Sequence, residues 1–346
     1  MTVPTESPAG DAPPQSASEG VTDRKPGFFR RVGGCFRRGV PKGLKSALWL
    51  LAIMVPVTFA VMLLDFSGLL KLIAAVFEPL LGLVGLPGEM AVSIISAVFL
   101  NLYTSIAAMG SVPLTDKQVA IIALVVLISH NFPVELVVQK KAGTAAWKML
   151  LLRLGMSVVG AAGLYLLMPD DPTTAAPRAS AVATSAAFTD HLGAWAEGSA
   201  WLIGKVVVLI LALMVLHQFL LEFGIAKILA RAFYPLLWLL GLPRSTTVLW
   251  IIANTLGLAY GAAVIVEEAE SGRLSKEDAQ YLNRHVGVCH SLLEDTLLYV
   301  AIGVPALWIT VPRVVLAAVA VWGYRVAKAL APAPNEGAGG DALPSA

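Results

Sequence analysis

Residues 77–87 read FEPLLGLVGLP, and residues 233–243 read FYPLLWLLGLP. Eight of these eleven positions are identical, at an offset of 156 residues. Leucines match by chance in any apolar stretch, whereas matched phenylalanine, proline and glycine positions in the same order do not easily do so. Because self-similarity at a fixed spacing is the signature of a repeated unit, we predict an internal duplication.

The duplication extends to both sides of these two stretches. Upstream, LLDF at residues 63–66 matches LLEF at residues 220–223. Downstream the offset becomes 160, and it pairs Leu114 with Leu274, Thr115 with Ser275, His130 with His290, Glu135 with Asp295, and Gly143 with Gly303. The chain is therefore interpreted as two related halves.

The composition is that of a membrane protein. Of the 346 residues, 57% are hydrophobic and 14% are charged, and the mean hydropathy is +0.75. Soluble domains carry about 25% charged residues, and disordered chains are poor in apolar ones. Ten apolar segments follow one another at 46–64, 69–86, 90–109, 117–138, 147–168, 201–220, 225–242, 245–266, 277–300 and 305–325. The predicted fold class is an all-α polytopic membrane protein.

The segments divide the chain into five regions. These are a disordered tail with a basic juxtamembrane segment (1–45), a first repeat of about five helices (46–168), a linker (169–200), a second repeat (201–328) and a second disordered tail (329–346). The second segment of each half is interrupted by Pro79 or Pro235, so it is either a span or a re-entrant or interfacial helix.

Basic residues predict how the chain is oriented. Positive charge collects on the cytoplasmic side of a membrane. The cytoplasmic markers are the basic stretch from Arg24 to Lys45, the group Lys140, Lys141, Lys148 and Arg153, and the pair Arg325 and Lys328. Five crossings per half satisfy these markers, place both termini in the cytoplasm and make the second half inverted relative to the first. The N-terminal stretch has an alternative role as a binding site for anionic lipid.

A first polar cluster interrupts the fourth apolar segment and consists of Ser129, His130, Asn131 and Glu135. Pro133 lacks an N–H and disfavours helix in the residue before it, which predicts a helix break near Asn131–Phe132. Broken helices inside membranes line cavities and expose backbone groups to ligands. We therefore expect these four side chains to bind substrate.

The second cluster is the repeat mate of the first, with His285, Cys289, His290, Ser291, Glu294, Asp295 and Thr296. His290 and Glu294 are four residues apart, which predicts that they share one face of a helix. A charged side chain at mid-bilayer costs about 2.5–3.5 kcal/mol on insertion scales. We predict one substrate site between the halves that includes His290, Ser291, Glu294 and Asp295. The alternative is that both clusters only pack helices together.

Two further sets of residues extend or compete with this site. Asn101, Asn254 and Tyr260 lie in the third segment of each half, where they can bind a nucleobase or ribose or bridge helices for less than about 1 kcal/mol each. The competing metal site has imidazole, carboxylate and thiol ligands that suit a first-row divalent ion. Its residues are His130, Glu135, Cys289, His290 and Glu294. No resident cofactor is predicted beyond a coupling proton or sodium ion.

The sequence also indicates what the protein does not do. It has no GxSxG, HExxH, P-loop or Rossmann glycine motif, so we do not expect an enzyme. A net charge of +2 and the absence of a basic stripe argue against nucleic-acid binding. The expected partners are the lipid bilayer and a small-molecule solute. A homo-oligomer is compatible with the sequence, but no motif requires one.

The two clusters, their duplication and the GLAYG stretch at 257–261 resemble bacterial nucleoside-recognition (Gate) domain membrane proteins. That group includes the spore maturation A and B proteins, and similar Gate units occur in ferrous-iron and concentrative nucleoside transporters. The resemblance covers about residues 46–325. It implies two inverted Gate-like repeats in a bacterial inner membrane and the transport of a small polar solute, a nucleoside or nucleobase first. The iron transporters' GTPase domain is missing, so uphill transport would need an ion gradient, coupled through Glu135, Glu294 and Asp295.

Overall fold

The computed structural model describes residues 27–110, 112–170, 187–255 and 257–330, and every regular element in them is helical. This confirms the predicted all-α class. The helices are α1 (Phe28–Phe66), α2 (Leu69–Leu81), α3 (Met90–Phe99), α4 (Leu102–Met109), α5 (Asp116–Ser129), α6 (Phe132–Lys141), α7 (Ala146–Leu167), α8 (Phe188–Glu222), α9 (Ile225–Leu239), α10 (Thr247–Thr255), α11 (Gly257–Glu270), α12 (Lys276–Val288), α13 (Glu294–Ala301) and α14 (Ala306–Leu330).

The helices of α1–α7 recur in the same order as α8–α14. Each series opens with a helix of at least 35 residues, α1 or α8, and closes with one of 22 or 25 residues, α7 or α14. The second helix of each series contains a proline, Pro79 in α2 and Pro235 in α9. The order of elements therefore follows the duplication in the sequence.

The boundaries differ from the predicted regions in three places. Residues 28–45, which we assigned to the N-terminal tail and juxtamembrane segment, form the first part of α1. Residues 188–200, which we assigned to the linker, form the first part of α8, while residues 171–186 lie outside the described ranges. At the other end, α14 continues through Leu330 into the predicted tail, and residues 331–346 are not described.

Fewer helices span a membrane by length than the ten apolar segments suggest. Within the described ranges, four segments are long and apolar enough: Asp116–Lys141, Ala146–Leu167, Phe188–Glu222 and Ala306–Leu330. A pair bent by 95°, Thr58–Phe66 with Leu69–Val84, would make a fifth. The count falls because helix breaks divide several segments. Residues 90–109 form α3 and α4, and residues 277–300 form α12 and α13.

Helices α2 and α9 are too short to cross the bilayer. At 13 and 15 residues, α2 and α9 are about 20 Å long, against a hydrocarbon core of about 30 Å. Both helices continue through their prolines, so the proline does not break them. Their length favours the re-entrant or interfacial alternative for the second segment of each half.

The first helices of the two series, α1 and α8, pack against each other along their length and run antiparallel. The Phe36 ring lies 5.9 Å from the Phe219 ring, and the Phe66 ring lies 5.1 Å from the Phe188 ring. Close approach depends on Gly39, where an added Cβ would lie 2.8 Å from the Cα of Val215. Small residues let membrane helices pack backbone to backbone in this way.

The end of this helix pair is fixed by charge. Glu222, the last residue of α8, accepts hydrogen bonds from Arg31 Nε at 3.0 Å and from an Arg38 guanidinium nitrogen at 2.6 Å. Two arginines of the basic juxtamembrane segment therefore bind the second half of the chain.

We expect Gly39→Ala to destabilise the protein by about 1–3 kcal/mol, because its methyl group would overlap the α8 backbone. Gly33→Ala is the matched control on the same helix, since a Cβ there meets nothing within 4 Å. Thermal unfolding of the purified variants in detergent measures the difference. Equal stability of the two variants would contradict the packing described for α1 and α8.

Candidate functional site

The predicted break in the fourth apolar segment is present. Helix α5 ends at Ser129 and α6 begins at Phe132. Between them His130 is extended, and Asn131 adopts a left-handed conformation with φ of 52°. The backbone N–H of Asn131 donates to the carbonyl of Ala97, near the end of α3, at 2.9 Å. The chain thus turns inside the helical bundle, in a buried environment.

A second break occurs at the equivalent place in the other half. Helix α12 ends at Val288, α13 begins at Glu294, and Ser291 between them has φ of 48°. The Ser291 N–H donates to the carbonyl of Ala253, near the end of α10, at 3.0 Å. The predicted common helical face of His290 and Glu294 is therefore wrong, because no continuous helix joins them. Glu294 instead opens α13, where the helix dipole favours an acid.

The two breaks bring both histidines onto one carboxylate. Oε1 of Glu135 lies 3.3 Å from Nε2 of His130 and 3.4 Å from Nε2 of His290. The imidazole rings are 5.2 Å apart, centroid to centroid. All three side chains are buried. Residues from both halves therefore meet at one site.

Hydrogen bonds fix how both imidazole rings are oriented. His130 Nδ1 bonds to the carbonyl of Val126 at 3.0 Å, and His290 Nδ1 bonds to the carbonyl of Val286 at 2.8 Å. A carbonyl oxygen only accepts, so Nδ1 carries the proton in both rings. In the neutral ring Nε2 then holds a lone pair. Nε2 of each histidine therefore faces Glu135 with a lone pair when the ring is neutral and with an N–H group when the ring is protonated.

Arg153 neutralises Glu135, a role that the sequence analysis missed. Its guanidinium lies 2.6 Å from Glu135 Oε2 and also donates to the carbonyls of Ile128, at 2.7 Å, and His130, at 2.9 Å. The side chain is completely buried. Its assignment as a marker of the cytoplasmic edge is therefore wrong, because it lies on the inward face of α7.

Arg313 is the equivalent residue of the second half, at the same offset of 160 that relates His130 to His290. It is also completely buried and reaches towards the carbonyl of His290 at 3.5 Å. Its strongest side-chain partner is the hydroxyl of Thr296, at 2.7 Å. Searching the duplication for matched arginines would have found both residues from the sequence.

The acids of the two halves therefore have different partners. Glu135 pairs with Arg153, whereas Oδ2 of Asp295 is buried and has no hydrogen-bond partner within the described part of the chain. One ligand atom each of His130, His290 and Asp295 lies within 4.8 Å of the other two. This group, together with Glu135, is the centre of the candidate site, hereafter the central cluster.

Several predicted site residues have other local roles. Asn101 caps α4, accepting from the N–H groups of Tyr103 and Thr104. The Ser129 hydroxyl donates to the carbonyl of Val125 at 2.6 Å. Asn254 donates to the carbonyl of Trp250, and its Oδ1 is buried without a partner in the described chain.

The remaining candidates either lie outside the central cluster or have side chains outside the described residues. Cys289 packs in the hydrophobic core that includes Val288 and Tyr299. Glu294 lines a crevice beside α8, with Thr255 and His217. Tyr260 belongs to α11, but its side chain lies outside the described residues. The structure therefore assembles His130, Glu135, His290 and Asp295, and it leaves Cys289 and Glu294 outside that group.

Substitution of the two acids is expected to lower the stability of the protein by very different amounts. Glu135→Gln removes the anion beside a buried guanidinium, which costs about 3–5 kcal/mol when one member of a buried pair is lost. Asp295→Asn replaces a carboxylate whose Oδ2 has no hydrogen-bond partner, so we expect little loss of stability. Thermal unfolding in detergent measures both variants. Losses of similar size would contradict the different pairing of the two acids.

Comparison with known proteins gives one relative of this chain. The sequence is 32% identical over 273 residues to the uncharacterized membrane protein YvoD of Bacillus subtilis (strain 168), and the match covers 78% of this chain and 87% of the relative. No family model matches the chain, and no solved structure matches it. The long match to a membrane protein, together with the apolar helices, supports a location in a membrane.

Proposed function

The chain belongs to the membrane-protein family that includes YvoD, and on that premise we propose that it transports a small polar solute across the bacterial inner membrane. The observation that carries the proposal is the buried central cluster at two equivalent helix breaks. Ionisable groups at this depth are expensive, and in membrane proteins they mark substrate and ion pathways. Transport also accounts for the helix breaks, because irregular backbone is tolerated at membrane depth where it is buried in protein or lines a cavity.

Contacts between the halves support an inverted repeat. The helices α1 and α8 occupy the same place in their series, and they run antiparallel. His130 and His290, matched in the sequence, approach the same Glu135 oxygen from opposite halves. Secondary transporters built from inverted repeats place their binding sites at such a meeting point.

The solute class follows from the Gate-like resemblance, which favours a nucleoside or nucleobase. Oδ1 of Asn254 and Oδ2 of Asp295, which have no hydrogen-bond partner among the described residues, offer two buried acceptors to such a solute. Coupling to a proton or sodium ion would use Glu135 and Asp295, because carboxylates bind either ion.

A divalent metal ion is the second candidate solute. It is favoured by the ligand atoms of His130, His290 and Asp295, which lie within 4.8 Å of one another. The set differs from the one predicted by sequence: it keeps His130 and His290, adds Asp295, and does not include Glu135, Cys289 or Glu294.

Uptake into proteoliposomes tests transport directly. We expect the protein to accumulate labelled nucleoside or nucleobase under a proton or sodium gradient, and Asp295→Ala to abolish that accumulation. Glu135→Ala should also abolish it, with its folding checked by gel filtration. Gly33→Ala is the control that should retain uptake. Uptake that survives both acid substitutions would reject the central cluster as the coupling site, and no uptake of any solute would favour a scaffold in which the cluster only packs helices.

Reporter fusions test the proposed orientation. Alkaline phosphatase is active only outside the cytoplasm, so we expect activity from a fusion within residues 171–186 and none from a fusion after residue 346. Activity from the C-terminal fusion would contradict the cytoplasmic placement of the termini.

A further inference from the structure

We propose that His130, His290 and Asp295 bind a divalent transition-metal ion at the centre of the molecule. A role of this ion as the transported solute or as the coupling ion rests on the proposed transport function. Binding of the ion itself does not require transport. One ligand atom from each residue lies within 4.8 Å of the other two. All three side chains are more than nine-tenths buried. They come from both helix breaks, so the site forms only when the two halves assemble.

The histidines are already arranged as metal ligands. In metal sites a ligating imidazole donates its other N–H to a backbone carbonyl or a carboxylate, which fixes the ring and its tautomer. His130 and His290 do this through Nδ1, to Val126 and Val286. The remaining nitrogen of each ring, Nε2, faces the interior of the central cluster. Two rings held in this way at equivalent breaks are more than helix packing requires.

Asp295 supplies a carboxylate to which no cationic side chain among the described residues donates a hydrogen bond. Arg313 could serve that purpose, but its guanidinium donates to the Thr296 hydroxyl and to the carbonyl of Ile309. In the first half the position equivalent to Thr296 is Leu136, which has no hydroxyl, and Arg153 pairs with Glu135 instead. Thr296 therefore holds Arg313 away from Asp295 and leaves that carboxylate available to a ligand.

A buried oxygen without a partner indicates the charge of the missing ligand. Oδ2 of Asp295 has no hydrogen-bond donor within the described residues, and a bare carboxylate in an apolar interior is costly. A cation bound between Asp295 and the two Nε2 atoms removes that cost. It also offers a positive charge to the lone pairs of both Nε2 atoms, which lie 3.3 and 3.4 Å from Glu135 Oε1.

The donor set selects the class of metal. Two imidazoles with one carboxylate suit zinc, iron, manganese or cobalt, whereas calcium and magnesium prefer oxygen ligands alone. The thiol of Cys289 does not belong to the group, which disfavours a soft ion such as copper(I). The site is therefore assigned to a borderline divalent ion.

Direct binding of Zn²⁺ and Co²⁺ to the purified full-length protein tests this assignment. Titration against a chromophoric chelator should give one ion per chain. His130→Ala, His290→Ala and Asp295→Asn should each lower the affinity about tenfold or more, as loss of a ligand or of its support does. The visible spectrum of the Co²⁺ form should lack a thiolate charge-transfer band. Unchanged affinity in all three variants, or a thiolate band, would overturn the site.

Conservative variants separate ligation from folding. Cys289→Ser and Glu294→Gln should leave the affinity unchanged, because neither side chain belongs to the group. His290→Gln serves as a second variant if His290→Ala does not fold.

Substitution of Thr296 tests whether this side chain affects metal binding by holding Arg313, or only contributes to the stability of the fold. Thr296→Val frees Arg313 to pair with Asp295 and should weaken metal binding about tenfold, a size typical of groups that orient a ligand. Thr296→Ser keeps the hydroxyl and should bind as the unchanged protein does. Equal affinity of the Val and Ser variants would contradict the role given to Thr296.

Failure of this inference is distinguishable from failure of the proposed function. Metal binding without uptake of any solute in proteoliposomes would leave the site intact and reject transport. Uptake of a nucleoside by a protein that binds neither Zn²⁺ nor Co²⁺ would leave transport intact and reject the metal site.

Discussion

The ion pair between Arg153 and Glu135 is the interaction on which the centre of the molecule depends. Arg153 also binds the carbonyls of Ile128 and His130, so one guanidinium fixes both the end of α5 and the acid of α6. Without it, the break would leave carbonyl oxygens and a carboxylate buried together without a donor, which is prohibitively costly in an apolar interior. Hydrogen bonds from Nδ1 to the carbonyls of Val126 and Val286 then hold the two histidines beside Glu135.

The second half repeats this construction with one change in chemistry. Arg313 approaches the equivalent carbonyl of His290, but the hydroxyl of Thr296 takes the position that a carboxylate oxygen takes around Arg153. With this neutral partner in place of an anion, Arg313 makes no hydrogen bond to Asp295 in the described part of the chain. The two halves thus share the framework of the site and differ in the side chain that their buried arginine binds.

The sequence predicts the parts of this site that local chemistry determines. Pro133 forecast the first break, because proline restricts its neighbour whatever surrounds it. The second break has no proline, since residues 289–293 read CHSLL, and there tertiary hydrogen bonds to Ala253 and Asn254 end the helix. Arg153 was misassigned because a charge alone does not tell which face of a helix carries it. Its alignment with buried Met149 and Ser157, each four residues away, is the pattern that identifies the inward face.

The antiparallel packing of α1 on α8 has a consequence for the origin of the chain. Two equivalent helices that pack antiparallel form the kind of contact that separate half-length copies would make in a dimer with two-fold symmetry. Such copies would have to enter the membrane in opposite orientations. Fusing them into one polypeptide fixes their ratio and replaces a concentration-dependent encounter with a permanent one. It also releases each copy from having to complement itself, so Leu136 and Thr296 were free to become different residues.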